Sequence, residues 1–351
     1  MKLAIVGSVG VPASYGGFET LVESLIGGDD HQFTVYCSGQ YYEQRLGIYK
    51  GAKLVYIPIN ANGPMSVVYD IWSCFHAVLT GHRNILILGT SGAIVVPFLR
   101  LIFPTVKLVT NIDGIEWRRD KWQGFAKKFL KFSESVAVKY STTVVADNDA
   151  IADYVAQAYQ RECKTIAYGG DHAFAKPNKS HRFPSLDVDR RYALALCRIE
   201  PENNVHKILQ AFAESQQELV FIGNWQSSDY GKKLQDKYSA NLNLRLLNPV
   251  YDVEVLSVYR NNCFAYIHGH SAGGTNPSLV EMMHFSKPVI AFDCVYNRST
   301  MENKGSYFKS VDDLSRQIGT VNQASDPEML EIAQRRYTWK GVKHQYLSLF
   351  E

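Results

Sequence analysis

The stretch CFAYIHGHSAGGTNPSLVEMM, residues 263–283, joins a short apolar run to a helix-like run through a loop that contains glycines. The apolar run predicts a buried strand. Asn276 suits the capping position of a helix and Pro277 suits its first turn, so a helix is predicted to begin there. Just before this helix, the free amide groups of Gly274, Thr275 and Asn276 would point at a ligand beyond the strand, and the helix dipole favours an anion there.

Three polar side chains of this stretch are candidates for a site. Glu281 lies about one turn into the predicted helix, where its carboxylate could accept hydrogen bonds from ribose hydroxyl groups. A plain exposed glutamate is the alternative. His268 and His270 stand at the strand end, where a functional role and a hydrogen-bonded core role are both open. The histidines of the chain show no metal-ligand spacing, so no metal site is predicted.

Similar strand-like runs recur along nearly the whole chain and alternate with longer amphipathic segments. Each run is short, rich in β-branched residues and closed by a glycine or a small polar residue, as strands buried on both faces should be. The alternation predicts an α/β fold with doubly wound parallel sheets. The runs are KLAIVGS, FTVYCSG, KLVYIPI, NILILGT, VKLVTNI, TTVVADN and TIAYGG in the first half, and YALALCRI, ELVFIGN, NLRLLNP, CFAYIHG and PVIAFD in the second.

The length of 351 residues suits two domains. The segment 176–191 is polar, contains two prolines and lacks periodicity, which is typical of a linker. It also contains Asp187-Val188-Asp189, and a metal-binding role for this triplet is disfavoured because it does not end a strand. The predicted parts are a first domain over residues 1–178, a second over residues 179–330, and a closing helix over residues 331–351 that packs back on the first domain.

The composition is that of an ordinary folded protein, with 46% apolar and 20% charged residues. A net charge of +3 is too small to indicate a nucleic-acid partner. The six cysteines are scattered without paired spacing, which suggests thiols in a reducing compartment. The chain opens directly on a strand, without room for a signal peptide, and its longest uncharged run is too short to span a membrane. These features predict a cytoplasmic protein.

The positive charge is concentrated in one segment, residues 118–139, where seven cations stand against two acidic residues. A solvated helix face is one interpretation of this run. Contact with an anionic membrane surface or with a pyrophosphate-linked substrate is the other. The cations are Arg118, Arg119, Lys121, Lys127, Lys128, Lys131 and Lys139.

The opening loop GSVGVPASYGGFE, residues 7–19, follows the first predicted strand. Its glycine spacing differs from the GxGxxG pattern, which disfavours a dinucleotide-binding dehydrogenase. Gly16 and Gly17 precede a predicted helix from Glu19 to Ile26, and they would let backbone amides approach a phosphate or a sugar. A flexible turn, with Glu19 as a favourable charge in the first helical turn, is the alternative.

Two further loops carry charged groups at predicted strand ends. CRIEPENN, residues 197–204, places Arg198 where its guanidinium could hold a pyrophosphate; a structural ion pair is the alternative. TNIDGIEWRRDKW, residues 110–122, places Asp113 and Glu116 where carboxylates suit general-base work or the binding of sugar hydroxyls. Capping by Asp113 and surface pairing by Glu116 are the alternatives.

Together these loops resemble the GT-B glycosyltransferases of family 4, and most closely a subgroup of rhamnosyltransferases that act on bacterial surface polysaccharides. The resemblance covers essentially the whole chain. It implies two Rossmann-like domains facing a central cleft, with a nucleotide-sugar donor, linked to dTDP or UDP, on the second domain. The strings that carry it are YGGFET (15–20), NIDGIEWRRDKW (111–122), RIEPENN (198–204) and HGHSAGGTNPSLVE (268–281).

The residues and the resemblance together give one set of candidates, without a metal or a cofactor. The catalytic candidates are Asp113, Glu116 and Arg198. The acceptor-side candidates are Tyr15, Asp113, Glu116 and Arg118. The donor-binding candidates are Gly16, Gly17, Arg198, Asn203, His270, Gly274, Thr275, Asn276 and Glu281.

Two positions depart from the pattern of the broad family. Gly273 stands where the first glutamate of a Glu-x7-Glu pair is expected, and Asn203 stands where a lysine follows the arginine by five positions. Because the rhamnosyltransferase subgroup shares both changes, they are interpreted as a changed donor pocket in an active enzyme. Lys207 is one candidate for the missing cation.

The activity that the resemblance implies is metal-independent transfer of L-rhamnose from dTDP-rhamnose to a lipid-linked saccharide in capsule or O-antigen synthesis, with retention of configuration. The charge that develops on the leaving diphosphate would be met by Arg198 and by helix amides. The basic segment would then lie against anionic lipid at the inner face of the cell membrane. A nucleotide-sugar 2-epimerase on the same fold and a catalytically silent sugar-nucleotide-binding subunit are the alternatives.

Overall fold

The computed structural model describes residues 1–13, 16–28, 31–119, 122–175, 191–321 and 325–351. Tyr15, Lys121, the Asp187-Val188-Asp189 triplet and nearly all of the predicted linker lie outside the described residues. The chain forms two compact units. Unit 1 comprises Met1–Tyr168 together with Trp339–Glu351, and unit 2 comprises Gly169–Thr338.

Unit 1 is built on a sheet with the strand order β3-β4-β2-β1-β5-β6-β7-β8. β3 pairs antiparallel with β4, and the other neighbours are parallel. The strands are β1 (Lys2–Val6), β2 (Gln32–Ser38), β3 (Ile48–Tyr49), β4 (Ala52–Ile57), β5 (Asn84–Leu88), β6 (Lys107–Asn111), β7 (Thr143–Ala146) and β8 (Lys164–Thr165). The helices before unit 2 are α1 (Gly17–Leu25), α2 (Met65–Leu79), α3 (Val96–Ile102), α4 (Gly124–Tyr140) and α5 (Asp149–Tyr159).

Unit 2 contains a parallel sheet with the order β11-β10-β9-β12-β13-β14. The strands are β9 (Tyr192–Leu196), β10 (Glu218–Ile222), β11 (Leu244–Leu247), β12 (Ala265–His268), β13 (Val289–Phe292) and β14 (Ser306–Phe308). The helices are α6 (Val205–Ala213), α7 (Asp229–Tyr238), α8 (Val253–Asn262), α9 (Pro277–Met283), α10 (Val295–Thr300), α11 (Val311–Thr320) and α12 (Pro327–Arg336). The last helix, α13 (Trp339–Ser348), belongs to unit 1.

The predicted α/β fold with two parallel-sheet domains is confirmed. Strands such as β1, β5 and β6 are buried along almost their whole length, because helices cover both faces of such sheets. Every run that the sequence marks as a strand contains all or most of one, except TIAYGG (165–170), which includes only the last residue of β8. The short β3 and β14 carry no comparable signal. The segment 331–351 contains parts of two helices that lie in different units, and not one closing helix.

The order of the strands reverses once in each sheet. In unit 1 the chain runs outward from β1 to β2 and β4, and then returns to the other side of β1 with β5. In unit 2 it runs outward from β9 to β10 and β11, and then returns to the other side of β9 with β12. Loops separate at such a switch point beyond the carboxyl ends of the strands, and this is where open α/β sheets bind ligands.

Helix α13 completes unit 1 through three contacts. It packs against α1. The Nδ2 group of Asn111, at the end of β6, donates a hydrogen bond of 2.6 Å to the hydroxyl of Tyr346. Just after the helix, the carbonyl oxygen of Phe350 accepts a hydrogen bond of 3.0 Å from Lys107 Nζ.

Among the helices that the structure describes, none is both long and apolar enough to cross a bilayer.

A buried acid makes the stability of unit 1 depend on pH. Asp70, on α2, is 4% exposed. Burial raises the pKa of its carboxyl to about 8, although a hydrogen bond from the backbone N–H of Gly92 opposes the shift. The folded pKa lies above the unfolded one, so the stabilising contribution is complete below the unfolded value and is lost as the pH rises through about 8.

We expect Asp70→Asn to remove this loss, because an amide keeps the acceptor for Gly92 without titrating. Between pH 5 and pH 8 the wild type should lose on the order of 2–4 kcal/mol more free energy of unfolding than the variant. Urea unfolding at both pH values measures the difference. Asp153→Asn, at an exposed position on α5, is the control. Equal losses in wild type and Asp70→Asn would contradict the assignment.

Candidate functional site

In unit 2, the loops after β9 and β12 leave neighbouring strands at the switch point and are joined by Asn203. Its Nδ2 group donates a hydrogen bond of 2.7 Å to the carbonyl oxygen of Arg198, and its Oδ1 atom lies 2.7 Å from Nδ1 of His270. Since the amide oxygen can only accept, His270 carries its proton on Nδ1. The Nε2 atom of His270 faces Gly273, where an added Cβ would lie 3.2 Å from it.

Arg198 follows β9 as predicted, and its side chain is about half exposed. Its Nη1 atom lies 3.6 Å from Oε1 of Glu200, so the structural ion pair that the sequence left open is present. Exposed pairs of this kind contribute little to stability. The guanidinium has five N–H groups, which leaves donors for a ligand beside the pair.

Helix α9 begins where the sequence predicts. Asn276 caps it by accepting a hydrogen bond of 3.0 Å from the backbone N–H of Ser278, and Pro277 is its first residue. Gly274 and Thr275, just before the cap, are buried. The hydroxyl of Ser278 donates to Asn276 Oδ1 at 2.8 Å and lies 3.1 Å from the hydroxyl of Tyr266, which ties the helix to β12.

Glu281 is not a plain exposed glutamate. Its side chain is 16% exposed, and its carboxylate contacts Arg260 of α8 and His172. Arg260 is itself buried. Burial raises the pKa of Glu281, but the neighbouring Arg260 and His172 outweigh this effect and hold it below the ordinary value. The carboxylate is therefore ionised, and any ribose hydroxyl would share it with these two partners.

His268 ends β12 and is 2% exposed. Its Nδ1 atom lies 3.5 Å from the hydroxyl of Tyr266, and its Nε2 atom has no hydrogen-bond partner in the part of the chain that the structure describes. Burial, assisted by nearby His270, lowers the pKa of His268 well below its ordinary value. A buried neutral imidazole with an unsatisfied nitrogen at a switch point is a candidate ligand contact.

Lys207 is the one cation that the sequence analysis offered in place of the missing family lysine. Its Nζ atom lies 4.8 Å from the centre of the Phe292 ring and donates a hydrogen bond of 3.2 Å to the carbonyl oxygen of Lys309. These contacts hold the amine beside the ends of β13 and β14, whereas Asn203 and Arg198 lie at the end of β9.

In unit 1, Asp113 follows β6 with a positive φ of 60°. Its backbone N–H donates a hydrogen bond of 2.8 Å to Asn111 Oδ1. Burial, followed by the charges of Asp113 and Asp147, raises the pKa of Tyr168 well above its ordinary value. Asp113 does not cap the short 3-10 helix that follows, because Ile115 occupies the capping position.

Glu116 and Arg118 are held by contacts within unit 1. The Glu116 carboxylate accepts hydrogen bonds from Trp122 Nε1 at 2.8 Å and from Arg119 Nη1 at 3.3 Å, so the surface pairing left open by the sequence is present. The guanidinium of Arg118 lies 4.7 Å from the centre of the Tyr154 ring. These contacts suit a structural role in the loop more than proton transfer.

The loop is further fixed by buried Glu134 of α4. One oxygen of this carboxylate accepts hydrogen bonds from Trp117 Nε1 at 3.2 Å and from the hydroxyls of Tyr154 and Tyr159, both at 2.7 Å. Three elements thus meet at a single acid: the 3-10 helix Glu116–Arg118, helix α4 and helix α5.

The paired glycines of the opening loop have different environments. Gly16 caps α1 with a φ of 127°, and an added Cβ would lie 2.0 Å from Oε2 of Glu19. Glu19 in turn accepts a hydrogen bond of 2.8 Å from the backbone N–H of Val9. Gly16 is a structural requirement because residues with a side chain rarely adopt its φ. An added Cβ at Gly17 would make an ordinary contact, 3.5 Å from the Tyr168 ring.

Sequence reasoning missed several residues of the unit 2 site. Arg260 lies in the last turn of α8 and carries no local signal. His172 follows the run TIAYGG, so the strand-end rule could have indicated it. Among the described residues, no group of three or more His, Cys, Asp and Glu side chains is arranged to hold a metal ion.

Two units on parallel sheets, each with loops at a switch point, place the protein in the GT-B class of glycosyltransferase folds. Residues 178–331 match the family model described as Glycosyl transferases group 1. Residues 1–171 match the model described as Domain of unknown function (DUF1972). No curated protein sequence matches the chain. Residues 178–331 are thus similar to a group 1 glycosyltransferase domain.

Solved structures agree on the fold. Sucrose-phosphate synthase from Thermosynechococcus elongatus is 14% identical with a TM-score of 0.83, covering 99% of this chain and 98% of its own. HepE of Anabaena in complex with UDP-glucose is 17% identical with a TM-score of 0.73, covering 100% and 99%. The α,α-trehalose 6-phosphate synthase of Burkholderia multivorans is 9% identical with a TM-score of 0.71, covering 99% and 95%. The rhamnosyltransferase subgroup stays a prediction.

We expect Arg260→Met to destabilise the protein by about 3–5 kcal/mol, because it leaves the Glu281 carboxylate buried without its main counter-charge. The double variant Arg260→Met/Glu281→Gln should recover most of this loss. Urea unfolding at pH 7 measures both effects. Because the pKa of Glu281 is lowered, the pair stabilises above the ordinary carboxyl range and its contribution disappears as the pH falls through the folded value. A double variant as unstable as the single one would refute the buried pair.

Proposed function

We propose that this protein is a glycosyltransferase that moves a sugar from a nucleoside diphosphate to an acceptor hydroxyl, and that the loops after β9 and β12 bind the donor. The observation that carries the proposal is the Asn203 bridge, which holds Arg198 and His270 together at the switch point of the unit that matches the group 1 model. Donor phosphates are expected at such an edge, where Arg198 follows one strand and the amides before α9 follow its neighbour.

The donor phosphates are assigned to Arg198 and to the backbone amides of Gly274, Thr275 and Asn276. As the bond between the anomeric carbon and the diphosphate breaks, negative charge develops on the leaving oxygen and positive charge on the sugar. A guanidinium stabilises that leaving group more strongly in the transition state than in the ground state, which lowers the barrier. His268 and His270 border the same region, where His268 Nε2 supplies an unsatisfied polar atom.

Asn203 stands where the broad family has a lysine, and its neutral amide cannot supply the positive charge of that lysine. Both ends of its amide hold the two loops, so Asn203 is assigned a positioning role. Arg198 then carries the side-chain cation, because Lys207 is turned toward Lys309. Glu281 is assigned to the ribose, with its carboxylate oriented by Arg260 and His172.

Acceptor recognition is assigned to unit 1, with Asp113 as the group that orients or deprotonates the incoming hydroxyl. Glu116 and Arg118 complete the acceptor side in supporting roles, and Gly17 is kept as a donor-side candidate. Hydrogen bonds from Trp122 and Arg119 hold the Glu116 carboxylate in the loop, so Glu116 is assigned a positioning role. Asp113 is assigned as the base because it follows the end of β6. A front-face reaction, in which the leaving phosphate helps to take the acceptor proton, retains the anomeric configuration without a protein nucleophile.

For the substrates, we propose L-rhamnose from dTDP-rhamnose and a lipid-linked saccharide in capsule or O-antigen synthesis, at the cytoplasmic face of the membrane. The strings YGGFET, NIDGIEWRRDKW, RIEPENN and HGHSAGGTNPSLVE support this choice. HepE binds UDP-glucose, so UDP-sugars belong in the same trial. Incubation with a panel of nucleotide sugars and a lipid-linked monosaccharide, with product masses measured, tests the assignment. Epimerisation or hydrolysis of the donor without an acceptor would point to the epimerase.

We expect Arg198→Ala to lower kcat by about 10²–10³-fold, as removal of one oxyanion-stabilising donor does. Arg198→Lys should restore part of the loss, since it keeps the charge but not the planar fork. Glu200→Gln removes the ion-pair partner and should leave kcat within a few fold of the wild type. Steady-state rates with saturating donor measure the three variants. Full activity of Arg198→Ala would refute the donor site.

We expect Asp113→Asn to lower kcat by about 10²–10⁴-fold, the range for loss of a general base. Glu116→Gln should lower it by less than about tenfold, because its role is to hold Trp122 and Arg119. The same transfer assay and a melting curve for each variant separate catalysis from folding. If Glu116→Gln were the more damaging change while its fold stayed intact, the roles of the two acids would be reversed.

A further inference from the structure

Two neighbouring helices of unit 1 expose large apolar side chains. The chain passes through β5, β6 and β7 in one direction, so the right-handed crossovers α3 and α4 lie on the same face of the sheet, where they pack against each other. Phe125 is 82% exposed and Leu101 is 81% exposed. The α3–α4 face is defined by Phe98, Leu101 and Ile102 of α3 and by Phe125 and Phe132 of α4.

Cations surround these apolar residues, without an exposed acid on either helix. Lys127 and Lys128 lie between Phe125 and Phe132 along α4, and both are exposed. Lys131, Lys139 and, on α3, Arg100 are exposed as well. The single acidic residue of the two helices, Glu134, is buried and accepts hydrogen bonds from three aromatic side chains. The face is therefore apolar and positively charged.

This combination fits one kind of partner. An apolar patch on a soluble surface marks an interaction site. An apolar helix face bordered by lysines, with no exposed acid, is the pattern of helices that lie in the interface of an anionic bilayer. A second copy of the chain fits less well, because self-pairing would bring the lysines of the two copies together.

We infer that the α3–α4 face docks on anionic lipid, with its phenylalanines among the upper acyl chains and its lysines on the headgroups. The structure reduces the number of cations in the basic segment 118–139 that are assigned to lipid. Arg118 lies against Tyr154 and Arg119 pairs with Glu116, so these two cations stabilise the loop, and the lipid contact belongs to the lysines of α4.

Docking on lipid would bring the enzyme to a lipid-held acceptor. Only this biological role of the docking rests on the proposed function; the binding to lipid does not. Helix α4 follows the loop that begins at Asp113, so the α3–α4 face and the proposed acceptor residue are joined by a short connection within unit 1. A bilayer-bound face next to this loop would suit an acceptor that is itself held in lipid.

The test is sedimentation of the full chain with vesicles of phosphatidylcholine alone or mixed with phosphatidylglycerol, at low and high salt. The wild type should bind the anionic vesicles, and salt should weaken the binding. Lys127→Glu/Lys128→Glu should weaken it more than tenfold, since each surface cation contributes roughly fivefold. Phe125→Ser/Phe132→Ser should also weaken it more than tenfold, and circular dichroism checks that both variants are folded.

The matched controls lie in unit 2. Lys232→Glu/Lys233→Glu reverses a second exposed lysine pair on a helix, and Leu242→Ser/Tyr251→Ser removes two exposed apolar side chains. Both controls should bind as the wild type does. Absence of wild-type binding to the anionic vesicles, or equal weakening by test and control variants, would overturn the proposal. Binding unchanged in Phe125→Ser/Phe132→Ser, together with loss of a dimer in light scattering, would assign the face to a second copy instead.

A water-soluble acceptor separates this inference from the proposed function. If transfer to that acceptor persists in the Phe125→Ser/Phe132→Ser variant while vesicle binding is lost, docking and catalysis are distinct and both stand. If the wild type transfers no sugar but binds vesicles as expected, the proposed function fails and the docking face stands.

Discussion

The side-chain amide of Asn203 connects two loops that leave neighbouring strands at the point where the strand order of unit 2 reverses. Its NH2 group holds the backbone at Arg198 and its oxygen holds the ring of His270. The NH2 group can only donate and the oxygen can only accept. The contact therefore fixes both the spacing of the loops and the position of the proton on the imidazole. A lysine there would bring a positive charge, but its ammonium group could not accept a hydrogen bond from His270.

The fold could be predicted from the sequence because its signals are local. A strand buried on both faces is a short apolar run closed by small residues, and the long strands of both sheets have this form. The start of α9 could also be predicted, since a capping residue and a proline are adjacent at Asn276 and Pro277. β3 and β14 are too short to leave a pattern, and their pairing depends on neighbours distant in the chain.

The candidate site could be located from the sequence only as far as the strand-end rule reaches. It placed Arg198, His270 and Asp113 beyond parallel strands, but it could not say which charges were already engaged. The partner of Glu281 is Arg260, twenty-one residues earlier on a different helix. Nor could the sequence show that Trp122 and Arg119 hold the Glu116 carboxylate in its loop. Such pairings follow from tertiary packing and have no sequence period.

Because helix α13 lies at the C-terminal end of the chain, unit 1 can be completed only after unit 2 has been synthesised. Unit 1 takes its sheet from the first 168 residues but its last helix from residues 339–351, so the whole of unit 2 is interposed within it. The Asn111 amide that positions Asp113 finds its Tyr346 partner only when that helix arrives. On the ribosome, unit 2 emerges complete before unit 1 can close. The loop that carries Asp113 would therefore be among the last parts of the protein to reach its final geometry.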